Sequence, residues 1–83
     1  MYLSEDKFLS VLKRWRELDE EARKIRKEKA DWKYIEKQPE PIKTALKLLI
    51  ETGDLWIAAK VSGINIAKFN EIRIKANIPL VIE

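Results

Sequence analysis

Apolar residues recur through the first part of the chain at Phe8, Val11, Trp15, Leu18, Ala22, Ile25 and Trp32, in steps of 3, 4, 3, 4, 3 and 7. That is the heptad spacing of a helical seam, with Lys29 in the skipped place. Neither Gly nor Pro interrupts the pattern before Pro39. Ser4 suits a helix cap, and Glu5 and Asp6 fall in the first turn, where the helix dipole favours negative charge. The pattern predicts one long amphipathic helix over residues 5–36.

A break at Gln38-Pro39-Glu40-Pro41 then divides the chain into segments 1–38 and 39–83. Pro41 can open a helix whose apolar face is Ile42, Ala45, Leu46, Leu49 and Ile50, and Gly53 suits its left-handed exit. Asp54 stands where the next helix wants a capping acceptor, which predicts a helix over Leu55 to Ser62. Gly63 interrupts, Asn65 is the next natural cap, and Ile66 to Ala76 forms the last helix. Asn77 tolerates a left-handed exit, Pro79 forbids continuation, and Leu80-Val81-Ile82 is expected as a short, extended, covered tail. The expected fold is all-α: a long coiled-coil-like N-terminal helix plus a C-terminal helix-turn-helix unit of three helices.

The stretch AAKVSGINIAKFNEI, Ala58 to Ile72, carries the main functional signal. Two helices joined by a tight turn bring their backbones close, so Ala58 and Ala59 fit the contact. Gly63 supplies a positive φ at the turn. Ile64 plugs the corner, and Phe69 and Ile72 pack the second helix onto the first. In a helix-turn-helix the exposed early residues of the second helix meet base edges in the major groove. The groove-facing candidates are Asn65, Ile66, Ala67, Asn70, Arg73 and Ile74, with Asn suited to adenine and Arg to guanine. Lys60, Lys68 and Lys75 are placed to meet phosphates. The plainer reading of each residue alone is a helix cap and a solvated helix face. Ile66 and Ile74 are more apolar than a base-reading helix needs, which favours packing against the tail or another chain.

Residues 48–82, with Ala58-Ala59, Gly63 four positions on, Phe69 and the closing Ile78-Pro79, resemble a family of small uncharacterised prokaryotic proteins that are predicted antitoxins of toxin–antitoxin pairs. Asp54, four before the first alanine, matches the family's capping position. The resemblance implies a DNA-binding helix-turn-helix, autoregulation and a nuclease toxin as partner.

The N-terminal segment bears on oligomeric state. With Phe8, Trp15, Ala22 and Lys29 at position a, and Val11, Leu18, Ile25 and Trp32 at d, a parallel pair matches Arg14 with Asp19, Glu21 with Arg26 and Glu28 with Lys33, all opposite in sign. This predicts a homodimer through that seam. The alternative is that the helix folds back over its own domain through Phe8, Leu9, Leu12 and Trp15. Chain orientation in the coil stays open. The run RKIRKEK, Arg23 to Lys29, has Glu20, Glu21 and Glu28 beside it and is expected as a solvated helix surface.

Composition narrows the chemistry. The 83 residues are 46% hydrophobic and 37% charged, with a net charge of +3 and neither Cys nor His. The Lys, Arg and Glu content matches that of heat-adapted proteins. Without Cys or His the usual thiol, zinc and near-neutral acid–base chemistries are missing. Two glycines cannot make a phosphate-cradling loop. No enzyme activity and no cofactor are expected, and a cytoplasmic location is the default, with no signal peptide or membrane span. The expected function is a dimeric DNA-binding transcriptional regulator or antitoxin. A helical protein–protein adaptor is the alternative.

Overall fold

The computed structural model describes residues 5–80, with the backbone alone for Glu5 and Asp6. The expected Ser4 cap and the Val81-Ile82 end of the tail lie outside the described residues. Among the described residues the protein is all-helical, with α1 Glu5–Lys29, α2 Trp32–Glu36, α3 Glu40–Thr52, α4 Leu55–Ser62 and α5 Ile66–Lys75. No described helix is long and apolar enough to cross a membrane.

The expected single helix over 5–36 is two helices. Continuous periodicity hid a break at Ala30-Asp31 because neither residue is a strong helix breaker. Asp31 takes an extended backbone, and its carboxylate accepts the Tyr34 N–H, so it caps α2. Its own N–H donates to the Ala76 carbonyl at 2.8 Å. The Trp32 indole N–H bonds back to Lys27 O at 3.0 Å, satisfying a carbonyl that the end of α1 leaves open. Asn77 Nδ2 donates to Lys29 O at 2.7 Å. Four bonds therefore hold the break, and two of them come from residues just after α5.

The caps on the C-terminal side follow the expected positions. Gly53 and Gly63 take positive φ, at 69° and 78°, and Asn77 does so at 56°. The Asp54 carboxylate accepts from Ile57 N and the Asn65 side chain from Lys68 N. α3 begins at Glu40, one residue before Pro41, and α5 ends at Lys75, one residue short of Ala76.

Ala45, Leu46, Leu49 and Ile50 from α3 pack with Ala58 and Ala59 of α4, Phe69 of α5, and Ala76 and Ile78 beyond it. Ala30 and Ile35, from before the proline break, belong to the same core, and Leu80 packs on its edge. Phe69 is wholly buried, a burial that contributes about 1.5–3 kcal/mol. The small residues Ala58 and Ala59 let α4 approach both neighbours, and α3 packs most extensively against α4.

α1 meets this core through its C-terminal half alone. The fold-back through Phe8, Leu9, Leu12 and Trp15 does not form: all four are exposed, Trp15 at 68%. The docking point is Arg26, which is 3% exposed. Its Nε donates to Ile50 O at 2.7 Å, one of the open carbonyls at the C-terminus of α3, where the helix dipole favours a cation. Burial lowers the guanidinium's pKa, with Asp19 and Glu51 opposing that effect and Arg23 adding to it. Nη2 is buried without a hydrogen-bond partner among the described residues. Arg26 therefore does not belong to a solvated basic run, as the sequence suggested. Around it, Arg23 and Lys27 reach Glu51 at 3.9 and 3.1 Å, joining α1 to α3 at the surface.

Candidate nucleic-acid interface

α4 and α5 are joined through Gly63, Ile64 and Asn65. Ser62 organises the joint: its buried hydroxyl donates to Ala59 O at 2.6 Å and accepts from Ile64 N at 3.2 Å. Ala58, Ala59 and Phe69 are buried, and Ile64 and Ile72 pack partly buried against the core. Gly63 has open space around it, so its glycine answers the positive φ and not crowding.

The base-contact candidates separate into two groups. Asn65 and Ala67 are exposed at the front of α5, although Asn65 Oδ1 is engaged as the cap. Ile66 packs partly buried against the core and offers little to a groove. Arg73 and Asn70 are held inside the protein. Arg73 Nε donates to Asn70 Oδ1 at 2.7 Å and Nη1 donates to Ile78 O at 2.9 Å. Both are half-buried, so the pair is a brace tying the exit of α5 to its own helix. That corrects the expectation that they point outward as base readers. Heptad and turn spacing place a residue on a face, but they do not show that a carbonyl three residues past the helix end will accept from it.

Lys60, Lys68 and Lys75 are exposed, and among the described residues none of them is in an ion pair. Lys43 and Lys47, by contrast, are bound into a cluster with Glu36 and Glu40. The Lys43 pKa is raised above its ordinary value because Glu40 hydrogen-bonds and attracts it, which outweighs the opposing effect of burial, and Glu36 adds lesser contributions of both kinds.

One feature of the hairpin went unread in the sequence. On α4, Trp56 and Ile57 are exposed at 68% and 51%, with Val61 at 44%. The inward α4 positions are the partly buried Leu55 and the buried Ala58, Ala59 and Ser62, at i, i+3, i+4 and i+7, so the complementary face of Trp56, Ile57, Lys60 and Val61 must face out. Ile74 stays 60% exposed beside a groove of about 270 Å³ that also involves Ile25, Asn77 and Pro79.

The seam residues likewise divide. Phe8, Val11 and Trp15 are exposed, and Leu18 and Ala22 line a groove of about 590 Å³ against Thr52 and Gly53. Ile25 is at the surface, and Trp32 belongs to α2, where it caps α1. Of the expected parallel charge pairs, Glu21–Arg26 fails because Arg26 is buried, and Glu28–Lys33 fails because Lys33 lies on a different helix. No protein-family model, curated protein sequence or solved structure matches the chain.

Proposed function

We propose that the protein binds double-stranded DNA through the α4–α5 hairpin and acts as a transcriptional regulator, with an antitoxin of a toxin–antitoxin pair as the specific form suggested by the resemblance of residues 48–82. The observation that carries this reading is the hairpin itself. Its buried Ala58-Ala59 contact, glycine turn and Asn65 cap leave the front of α5 open, flanked by Lys60, Lys68 and Lys75, which form no ion pair among the described residues. With Arg73 and Asn70 bonded internally, the recognition is dominated by phosphate, and base reading is confined to Asn65, Ala67 and their neighbours. In an antitoxin, a nuclease toxin would be the protein partner.

The test is a salt titration of binding to a mixed pool of short duplexes. Each phosphate contact contributes about 0.9 to the slope of log affinity against log salt. Replacing Lys60, Lys68 and Lys75 together by Ala is expected to flatten that slope by up to about 3. No binding of the folded wild type at about 50 mM salt, where phosphate contacts are strong, overturns the reading.

A second reading, a helical adaptor that docks another protein, is favoured by the exposed Trp56, Ile57 and Val61. A DNA-facing hairpin has no use for so large an apolar face on its first helix.

A further inference from the structure

The N-terminal half of α1 extends past the core, and the chain's long dimension is 48 Å against 24 and 17 Å in the others. Phe8, Leu9, Val11, Leu12 and Trp15 on it are exposed by 52, 57, 39, 38 and 68%. At ordinary side-chain areas these exposures amount to roughly 500 Å², near the upper end for a patch on a monomer. Without Leu9, which lies at position b away from the seam, a pair of such faces buries roughly 800 Å², and the adjoining groove brings the total towards the lower end of specific interfaces.

We propose that this face pairs with a second copy of itself, with the two α1 helices antiparallel and the two-fold axis near residue 13. In this register the residue numbers of facing a and d positions sum to 26, those of facing g positions to 28 and those of facing e positions to 24. Phe8 faces the partner's Leu18 and Val11 faces the partner's Trp15, so every layer sets an a position against a d position, as antiparallel packing requires. The groove supplies the matching hole. Trp15, Leu18, Asp19 and Ala22 line it, and their i, i+3, i+4 and i+7 spacing is the four-residue socket that receives one knob. The partner's Phe8 is that knob. Leu12, just off the seam, meets the partner's Leu12 beside the axis.

The charges argue against the parallel alternative. Of its three pairs, two are already lost to the buried Arg26 and the displaced Lys33. The third needs Asp19, which pairs with Arg23 of its own helix at 3.5 Å. In the antiparallel register Lys7 lies opposite the partner's Glu21, an attractive pair. Arg14 meets its own copy, but at an exposed site where water screens the repulsion. The arrangement places the ends of α1 about 24 Å on either side of the axis. The pairing does not depend on the DNA reading, and its test involves no DNA.

The chain has no cysteine, so single cysteines report cleanly. Sedimentation equilibrium of the wild type is expected to show a dimer, and Trp15→Glu is expected to weaken it at least about tenfold, the equivalent of 1.4 kcal/mol. Because Trp15 is exposed, helicity by circular dichroism should be unchanged. Mixing Lys7→Cys with Glu21→Cys chains and adding a short bis-maleimide is expected to cross-link them to each other. Neither variant should link to itself, because the antiparallel register separates identical positions by about 18 Å along the helix axis or a little more. A wild type that stays monomeric at high micromolar concentration overturns the proposal. So does a dimer in which Lys7→Cys links to itself and not to Glu21→Cys.

Discussion

Gly53 and Gly63 form a natural matched pair, and their substitution by Ala isolates what Arg26 does. Both end a helix, and both sit at nearly the same positive φ, 69° and 78°. An alanine in that backbone region costs about 1–2 kcal/mol, offset in part by the stiffer unfolded chain. At Gly63 nothing lies within 4 Å of the added methyl, so a net cost of about 1 kcal/mol is the whole effect. At Gly53 the methyl would sit 2.9 Å from Arg26 Nη1 and 3.1 Å from Cζ. A guanidinium in water would swing aside freely. This one is 3% exposed and anchored through Nε to Ile50 O at 2.7 Å. Moving it weakens a charge-assisted bond worth about 1.5–3 kcal/mol, so the expected excess at Gly53 is about 1–2 kcal/mol. In a domain this small that excess lowers Tm by a further ~5–15 °C relative to Gly63→Ala. Urea and thermal melts followed by circular dichroism, at one fixed chain concentration, supply the numbers. In an Arg26→Ala background the excess should vanish, which closes a double-mutant cycle. Equal costs for the two glycine variants, or an excess that survives loss of Arg26, would refute the reasoning.

Two further outcomes rest on the same structure. Asn77→Gly keeps the positive φ but loses the bond to Lys29 O, so it is expected to cost about 1 kcal/mol in a urea melt, with Asn77→Ala costing about 1 kcal/mol more through backbone strain; a neutral Asn77→Gly would mean the link is idle. Lys43 has a raised pKa in the folded state, chiefly through its hydrogen bond to Glu40. Its stabilising contribution is therefore fully present below the ordinary lysine pKa and is lost only as pH rises through the higher folded value. The difference in urea midpoint between wild type and Lys43→Met should stay constant through neutral pH and shrink only above about pH 10; a change near neutrality would refute the assignment.

The elements on the C-terminal side were legible because each boundary is local. Asp54 and Asn65 each bond a backbone N–H three residues on, and Gly53 and Gly63 are the residues that accept a left-handed turn. Such signals lie within one turn of the residue that carries them. Most of the features that escaped the sequence depend on distant partners. The break at Ala30-Asp31 is held by Ala76 O and by Asn77. Arg26 looks like one more surface cation in RKIRKEK until Ile50 O, 24 residues away, accepts from it. Within the candidate interface, the positions of the lysines followed from helical spacing. The withdrawal of Arg73 did not, because its acceptor at Ile78 lies beyond the helix end. The apolar outer face of α4 was legible in principle, since the two alanines and Ser62 already mark the inner one.

The bonds at Ala30-Asp31 also have a mechanical consequence. α1 has 25 residues, which makes it a rigid arm about 37 Å long, and its inner end is fastened to the residues that terminate α5. Whatever grips the free end of the arm has leverage on that joint. A tilt of about 10° carries the far tip through about 6 Å, while the load falls first on the Arg26 bond to Ile50 O and then on Asn77 and Ala76. Force applied at the tip thus arrives at the two helix ends that hold the arm, the C-terminus of α3 and the base of α5.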